Sequence, residues 1–281
     1  MPESILITGA TGTFGKTFVR RLLKIGKTKR IVVFSRGEIR QADMRMELGE
    51  DSRLRYFIGD VRDRDRLRRA MNGVQVVVHA AALKRIEVGH YNPVEMVKTN
   101  IGGAINVIEA AQDTAVEKVI ALSSDKAVEP ISPYGTSKAL AENLFLASNN
   151  TVGGRTKFSI GRWGNIWKSN GSVVPVWQKM KRDGLNTVPI TDPDCTRFFM
   201  RIEEAVELVL NTISIMNGGE VVIPDLPAYR LGDLAEAMEV KTDIRGLPVW
   251  EKKHESMRIG LSSDKVRRMS IQELQEALLH D

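Results

Sequence analysis

Short runs of consecutive apolar residues alternate with longer stretches in which apolar positions recur every three or four residues. The runs Ser4-Ile5-Leu6-Ile7-Thr8, Arg30-Ile31-Val32-Val33-Phe34, Leu54-Arg55-Tyr56-Phe57-Ile58 and Val74-Gln75-Val76-Val77-Val78 predict strands, as do Lys118 to Leu122 and Phe158 to Arg162. Helical spacing predicts a helix at Phe14 to Ile25, the intervals between strands leave room for one helix each at about Glu38 to Leu48 and Arg62 to Met71, and Pro93 to Gln112 and Pro133 to Ala147 read as further helices. Strands that are apolar without alternation are buried on both faces, which argues for a parallel sheet with helices on either side. The expected fold is therefore α/β, a Rossmann-type doubly wound parallel sheet. From about Ile166 the regularity weakens, and Gly, Pro and Trp interrupt shorter elements such as Val221-Val222-Ile223 and a helix near Leu231 to Met238. These features predict a Rossmann domain over 1–165, also receiving elements from about 190–225, and a smaller C-terminal lobe mainly within 166–281. That lobe is expected to close over the strand ends and bind substrate. No tandem repeat or low-complexity linker interrupts the pattern.

Length and charge narrow the picture further. A chain of 281 residues suits one large domain, or one large domain plus one small lobe. The net charge of +6 raises the question of nucleic acid, but acids are interleaved with the bases. In Val61-Arg62-Asp63-Arg64-Asp65-Arg66-Leu67-Arg68-Arg69 the alternation reads as a solvated helix face rather than a nucleic-acid surface. A modest positive excess also suits ligands that carry phosphates. No apolar run is long enough to span a bilayer, so no membrane partner is expected. Met1-Pro2-Glu3-Ser4 runs into the first strand without a basic leader, which predicts a cytoplasmic protein. The single cysteine, Cys195, reads as a bystander and excludes an internal disulfide, and the four scattered histidines have no metal-ligand spacing, so no metal site is expected.

After the first strand comes Thr8-Gly9-Ala10-Thr11-Gly12-Thr13-Phe14-Gly15-Lys16, giving T-G-x-x-G-x-x-G at a strand-to-helix junction. Glycines there let the backbone turn tightly and approach a pyrophosphate, while the helix presents unpaired amides to the same anion. Thr8, Gly9, Thr11, Gly12, Thr13, Phe14 and Gly15 are the expected dinucleotide-binding residues of this loop. At the end of the second strand stand Ser35 and Arg36, with Arg40 one turn on, where an acidic residue would hold a ribose diol. A guanidinium suits a 2′-phosphate, so NADP is favoured over NAD, the alternative being that Arg36 merely ends its strand in solvent. Asp60 and Val61 are expected beside the adenine, and Ala80, Ala81 and Ala82 after His79 have the small side chains needed for close approach.

The stretch Ser123 to Lys138, S-S-D-K-A-V-E-P-I-S-P-Y-G-T-S-K, carries the candidate chemistry. Tyr134 and Lys138 lie one helical turn apart, so an ammonium beneath the phenol favours its phenolate. Ser124, Asp125 and Lys126 follow an apolar strand at the end where open α/β sheets place their active sites.

With T-G-x-x-G-x-x-G, H-A-A-A, Asn100 in the long helix and Tyr134-x-x-x-Lys138, the chain resembles the extended short-chain dehydrogenase/reductase family. Within it, the segments V-F-S-R-G-E, H-A-A-A-L-K, N-P-V-E-M-V-K-T-N-I-G-G-A, A-L-S-S-D-K-A, P-Y-G-T-S-K, G-S-V-V-P and T-R-F resemble the inverting UDP-N-acetylglucosamine 4,6-dehydratases. The resemblance extends through nearly the whole chain to about Arg201. It implies a hydro-lyase acting on a nucleotide sugar by oxidation at carbon 4, elimination across carbons 5 and 6, and return of the hydride to carbon 6. It further implies Tyr134, assisted by Lys138, as the base at the 4-hydroxyl and Ser124 as its hydrogen-bond partner. Asp125 with a raised pKa is then the general acid, and Lys126 with a lowered one the base at carbon 5. Asn100, Tyr134 and Lys138 also fall among the implied cofactor residues. Lys84, Asn165, Ser169, Ser172 and Arg197 are the candidates for substrate, Arg197 for its diphosphate.

The chain departs from the family at two arginines. The family segment I-R-P-G-E-K-L-H-E is here Gly246-Leu247-Pro248-Val249-Trp250-Glu251-Lys252-Lys253-His254-Glu255, and the family loop G-S-R-G-S is here Lys168-Ser169-Asn170-Gly171-Ser172. Arg245 and Lys168 are the candidates to compensate. A 4-epimerase or reductase on the same fold is the alternative enzyme, which needs Tyr134 and Lys138 but no Asp125-Lys126 pair. A dinucleotide-sensing regulator is the alternative outside catalysis. A homo-oligomer, a dimer or larger ring, is expected through the helices 93–112 and 133–147, with Met96, Ile105, Ile108, Leu140 and Leu144 as an apolar seam.

Overall fold

The computed structural model describes residues 1–151, 153 and 155–280. Six strands, β1 (Ser4–Thr8), β2 (Arg30–Ser35), β3 (Leu54–Ile58), β4 (Val76–His79), β5 (Lys118–Ser124) and β6 (Lys157–Trp163), alternate with helices. The helices are α1 (Thr13–Ile25), α2 (Glu38–Leu48), α3 (Arg64–Met71), α4 (Ile86–Tyr91), α5 (Pro93–Met96), α6 (Gly103–Asp113) and α7 (Pro133–Ala147). The later part holds β7 (Asn165–Ile166), α8 (Val173–Arg182), β8 (Thr187–Ile190), β9 (Thr196–Met200), α9 (Ile202–Ile215), β10 (Val221–Val222) and β11 (Ala228–Arg230). It ends with α10 (Leu231–Ala237), β12 (Lys241–Ile244), β13 (Ser256–Arg258), β14 (Leu261–Ser262) and α11 (Ile271–Leu279).

All pairings in the large sheet are parallel, in the order β10-β6-β5-β4-β1-β2-β3. The order reverses between β1 and β4, and the crevice outside the carboxyl ends of these strands is where such sheets bind ligands. Because side chains alternate along a strand, Ile5, Ile7, Ile31 and Val33 face one helical layer with Phe18, Leu22, Val206 and Val209. Leu6, Val32, Val77 and Val119 face the other, against Leu67, Val107, Ala141 and Phe145. A third apolar cluster joins Trp167, Trp177, Val188, Cys195, Tyr229 and Leu234 and forms the core of the later elements. β10 completes the edge of the large sheet beside β6, although it lies far down the chain.

The single long helix expected from Pro93 to Gln112 is instead α5, a π-turn over Val97–Gly102, and α6 in continuous succession. Such turns accommodate one extra residue and recur at functional sites. Here the π-turn holds Asn100, whose amide spans the chain from Leu83 (2.8 Å from its N–H, 2.9 Å from its carbonyl) to the Ser137 hydroxyl at 2.9 Å. Two residues of the expected intersubunit seam are core instead. Met96 is 1% exposed, its thioether lying over Gly89 where a Cβ would stand 2.7 Å from the sulfur, and Ile108 is turned into the layer above the sheet. Leu144 packs against that same layer, whereas Ile105 and Leu140 are exposed, together with Val94 and Val97. No helix among the described residues is long and apolar enough to cross a membrane.

Candidate active site

A cavity of about 1020 Å³ opens over the carboxyl ends of the large sheet and runs from the β1–α1 loop and the end of β2 to the start of α7 and the later elements. Its phosphate end is shaped by glycine. Gly9 has φ +67°, and a Cβ on it would lie 2.9 Å from the backbone of Ala81; one on Gly15 would lie 2.5 Å from Cα and O of Ala10. The loop therefore exists only with hydrogen at these positions. Gly12 precedes α1 without any side-chain cap, so the first amides of the helix are left to an anion. Thr11, Thr13, Phe14, Ala80, Ala81 and Ala82 line the same end, as expected. Thr8 does not. It is fully buried, and its hydroxyl oxygen accepts from the amides of Ala80 and Ala81, both at 3.2 Å, and meets His79 Nδ1 at 2.8 Å. With its lone pairs taken, that hydroxyl spends its proton on Nδ1, and burial holds the imidazole neutral with its pKa down at about 3. Thr8 thus clamps the alanine loop to β1.

At the far end Ser35, Arg36, Arg40 and Val61 line the cavity. Ser35 is fixed from behind by Gln41, whose amide donates to its carbonyl and to its hydroxyl, each at 3.0 Å. Arg36 is half exposed, and its guanidinium lies 3.6 Å from Asp60. Asp60 does not line the cavity: its carboxylate takes the Arg62 amide at 3.0 Å and the Arg62 guanidinium at 2.8 and 3.0 Å. Asn100 is likewise a structural brace and not a cavity residue, because its amide is spent on Leu83 and Ser137.

The chemical centre lies where β5 ends. Ser124 is the last residue of the strand, its hydroxyl accepts from the Lys126 amide, and residues Asp125–Ala127 form one 3-10 turn. α7 begins against this turn, with Ser132 as N-cap accepting from the Gly135 amide at 3.1 Å. A Cβ on Gly135 would stand 2.4 Å from the Lys126 carbonyl, so only glycine lets Tyr134 come this close to the turn. Ser124, Lys126, Tyr134 and Lys138 all line the cavity.

Lys126 is the hub. Its Nζ lies 3.1 Å from Asp125 Oδ1, 3.2 Å from Asn165 Oδ1 and 3.2 Å from Glu255 Oε1. Burial opposes its charge, but the two carboxylates outweigh burial and raise its pKa above that of an ordinary lysine. The expected lowering is thus reversed, since an ammonium held by two carboxylates keeps its proton. Asp125 does have the expected raised pKa, caused by burial and only partly offset by Lys126. Its position is not the expected one. The side chain is fully buried behind the cavity wall, and Oδ1 takes the Ser124 hydroxyl at 2.8 Å as well as Lys126. Any proton it exchanges with a ligand must pass through a neighbour.

Burial raises the pKa of Tyr134, and the groups that pull it back are Lys126 and the Ser124 hydroxyl. Lys138 instead donates to the Leu122 carbonyl at 2.7 Å, and burial lowers its pKa to about 8. The cation that favours the phenolate is therefore Lys126 more than Lys138. On the substrate side, Lys84, Asn165, Ser169 and Ser172 line the cavity as expected. The Ser172 hydroxyl is buried with no hydrogen-bond partner among the described residues, which leaves it for a ligand. Burial, Arg85 and Lys126 together lower the pKa of Lys84. No group of three or more potential metal ligands occurs among the described residues.

Residues 5–275 match the family described as "Polysaccharide biosynthesis protein". The chain belongs to this family. Its parallel sheet with flanking helices is the Rossmann-type fold of the extended short-chain dehydrogenases/reductases. The UDP-N-acetylglucosamine 4,6-dehydratase (inverting) of Campylobacter jejuni is 44% identical over 265 residues, covering 93% of this chain and 78% of that protein. The UDP-glucose 4-epimerase of Rickettsia rickettsii is 40% identical over 265 residues, covering 91% and 77%. The X-ray structure of Pen from Bacillus thuringiensis superposes with a TM-score of 0.94 at 32% identity, covering all of this chain and 99% of that one. DesIV, a dTDP-glucose 4,6-dehydratase from Streptomyces venezuelae with NAD and TYD bound, has a TM-score of 0.79 at 21% identity over 98% and 90%, a likeness of fold alone.

The residues expected to replace the missing family arginines do not face the cavity. Lys168 donates to the carbonyls of Leu278 and His280, each at 3.0 Å, and so ties down the end of α11. Arg245 pairs with Asp243 at 2.6 Å. Arg197, expected at the family's diphosphate, is 5% exposed. It donates to the carbonyls of Thr196 and Lys253 at 2.8 and 3.1 Å and to Glu251 at 2.5 Å, which engages three of its five N–H donors inside the protein. Among the cavity and hub residues that escaped sequence reasoning, Trp250 and Glu251 line the cavity, and Glu255 reaches Lys126 from behind. Their segment stood out only for an absent arginine. No spacing rule links positions so far apart in the chain.

Proposed function

We propose that this protein is a UDP-N-acetylglucosamine 4,6-dehydratase that inverts carbon 5, with NADP as a cofactor restored in each turnover, working as a homo-oligomer. What carries this reading is the Lys126 ammonium at the cavity wall, beside Ser124 and Tyr134, with Asp125 behind it. An epimerase has no use for a proton-exchanging pair there. The dehydratase name of the 44% identical relative supports the same choice.

Gly9 and Gly15, the uncapped start of α1 and the small side chains of Ala80 to Ala82 fit a dinucleotide pyrophosphate. When bound, the nicotinamide supplies the acceptor for the carbon 4 hydride and its donor to carbon 6. Tyr134 takes the 4-hydroxyl proton, with Ser124 and Lys126 favouring the phenolate. The ketone then acidifies carbon 5. Lys126 passes its proton back to Asp125, takes the carbon 5 proton as amine, and delivers it as ammonium to the departing 6-hydroxyl, which leaves as water. As the hydride returns to carbon 6, carbon 5 takes a proton derived from solvent on the face opposite Lys126, which inverts that centre. Tyr134 releases the 4-hydroxyl proton to solvent and Asp125 returns its proton to Lys126, so both the pair and the phenolate end as they began. Asp125 is thus an acid acting through Lys126, in keeping with its burial.

Incubation with NADP and UDP-N-acetylglucosamine in deuterated solvent, read by mass spectrometry, tests the reading. The expected product has lost one water and carries solvent deuterium at carbon 5. An unchanged mass with altered configuration at carbon 4 makes the protein an epimerase. The cofactor choice rests on Arg36 and Arg40 at the end of β2, where no carboxylate lines the cavity. Arg36→Ala is expected to weaken NADP about tenfold, the worth of one half-exposed charged contact, while NAD binding stays within about threefold. Calorimetric titration with both dinucleotides measures this; equal losses for the two refute the 2′-phosphate contact.

A further inference from the structure

Lys126 is clamped from two directions that have different origins. Asp125 is its chain neighbour, whereas Glu255 arrives on the segment leading into β13 and is only 2% exposed. That segment is pinned on every side. The Glu255 amide donates to the Ser263 hydroxyl at 3.0 Å, Ser256 pairs with Ser262, and Arg162, itself doubly bonded to Glu142 of α7, donates to the Met257 carbonyl at 2.8 Å. Burying a carboxylate costs free energy unless a cation answers it, and here the rigid backbone delivers Oε1 to 3.2 Å from Nζ. The two carboxylates are not equivalent. Burial raises the Asp125 pKa, while Lys126, Arg197 and Lys252 outweigh burial and hold Glu255 below the ordinary carboxylate range. One is suited to receive a proton, the other to remain an anion.

We propose that Glu255 is a positioning residue for the elimination, a permanent anion that holds the Lys126 Nζ at the cavity wall and keeps one proton on the Asp125-Lys126 pair. The inference rests on the dehydratase reading and deepens it. The pair must carry one proton to deliver to the departing hydroxyl, and a negative charge 3.2 Å from Nζ makes losing that proton to solvent unfavourable. The charged groups that bear on Lys126 are Asp125 on its own turn, Tyr134 on α7, Arg197 on β9, Glu255 itself and Lys84 on the loop after β4. Lys252 bears on Glu255 at 3.8 Å. Among these, Glu255 and Asp125 are the two anions in contact with Nζ, and only Glu255 is free of a proton-transfer duty.

Glu255→Gln keeps the shape and removes the charge. The expected result is a kcat lower by about 10- to 100-fold, the cost of a displaced reacting group, with KM and dinucleotide affinity within about threefold of wild type. The sign of the pH effect follows from the charge. Without the anion the pair releases its proton at lower pH, so the variant loses further activity as pH rises through a range where wild type stays level. Glu255→Asp restores the charge and is expected to recover the level profile even if kcat stays reduced. The inference is overturned if Glu255→Gln matches wild type. It is equally overturned if its loss is the same at every pH, or if Glu255→Asp shows the same falling limb, since packing alone then accounts for Glu255. Wild-type protein that leaves the mass of UDP-N-acetylglucosamine unchanged overturns the dehydratase reading itself, a separate outcome on a separate sample.

Discussion

Lys126→Ala is expected to oxidise carbon 4 and go no further. Tyr134 and Ser124 remain in place in this variant, so the first proton transfer is still available, but the group assigned to move a proton at carbons 5 and 6 is gone. Turnover should fall by at least about 10³-fold, within the range general acid–base groups supply. Reduced nicotinamide should accumulate toward one per site, read as its absorbance after one addition of substrate. Tyr134→Phe should lose a comparable factor without that absorbance, because it fails at the earlier step. Lys126 also lowers the Tyr134 pKa, so oxidation by Lys126→Ala should be slower than in wild type and should recover as pH is raised toward the phenol's own range. Full turnover in Lys126→Ala would falsify its role, and absence of reduced nicotinamide in both variants would place Lys126 in the first step alone.

Gly15→Ala is expected to disable the cofactor site while sparing the rest of the fold. The new Cβ would sit 2.5 Å from Cα, O and 2.6 Å from C of Ala10, all backbone atoms of the phosphate loop, and no flexible side chain is there to yield. The loop must move, at an overpacking cost of about 1–3 kcal/mol. Its amides then no longer converge on the pyrophosphate, and affinity for either dinucleotide should fall by more than about 100-fold. Gly26→Ala serves as contrast: its Cβ meets nothing within 4 Å, but φ is +75°, so the substitution strains the end of α1 and lowers thermal stability without touching cofactor affinity. Titration calorimetry and thermal unfolding separate the two. Equal dinucleotide affinities in both variants would remove the steric argument for the loop.

The parts of this fold that were legible in advance are those whose signal is local. Glu38–Leu48 and Pro133–Ala147 are helices with the expected bounds, because the residues that bound them, Gly37 and Gly49 for the first and Ser132 with Pro133 for the second, are neighbours in the chain. The strands of the large sheet were visible as unbroken apolar runs for the same reason. The π-turn was not, since a one-residue shift of apolar register inside an otherwise helical stretch has no residue signature of its own in a single sequence. At the site, Tyr134 was found from its spacing to Lys138 and Lys126 from its place at a strand end together with the family resemblance, but the direction of the Lys126 shift was not, because it depends on a second carboxylate that only the tertiary fold supplies. Arg197 misled for a related cause. T-R-F reads as an anion-binding motif, yet β9 is buried along its whole length and its arginine is engaged by Glu251 and nearby carbonyls.

The dinucleotide cradle is made from the first strand, the loop after it and the next strands of one sheet, whereas the Lys126 cluster is complete only when the segment before β13 has docked against the turn that follows β5. Synthesis delivers these two halves at different times. A chain with that segment undocked keeps Asp125 beside Lys126 but lacks the second anion. The loss expected of Glu255→Gln is therefore also the loss expected of imperfect docking there, so the integrity of the C-terminal segment is legible in the elimination step rather than in cofactor binding.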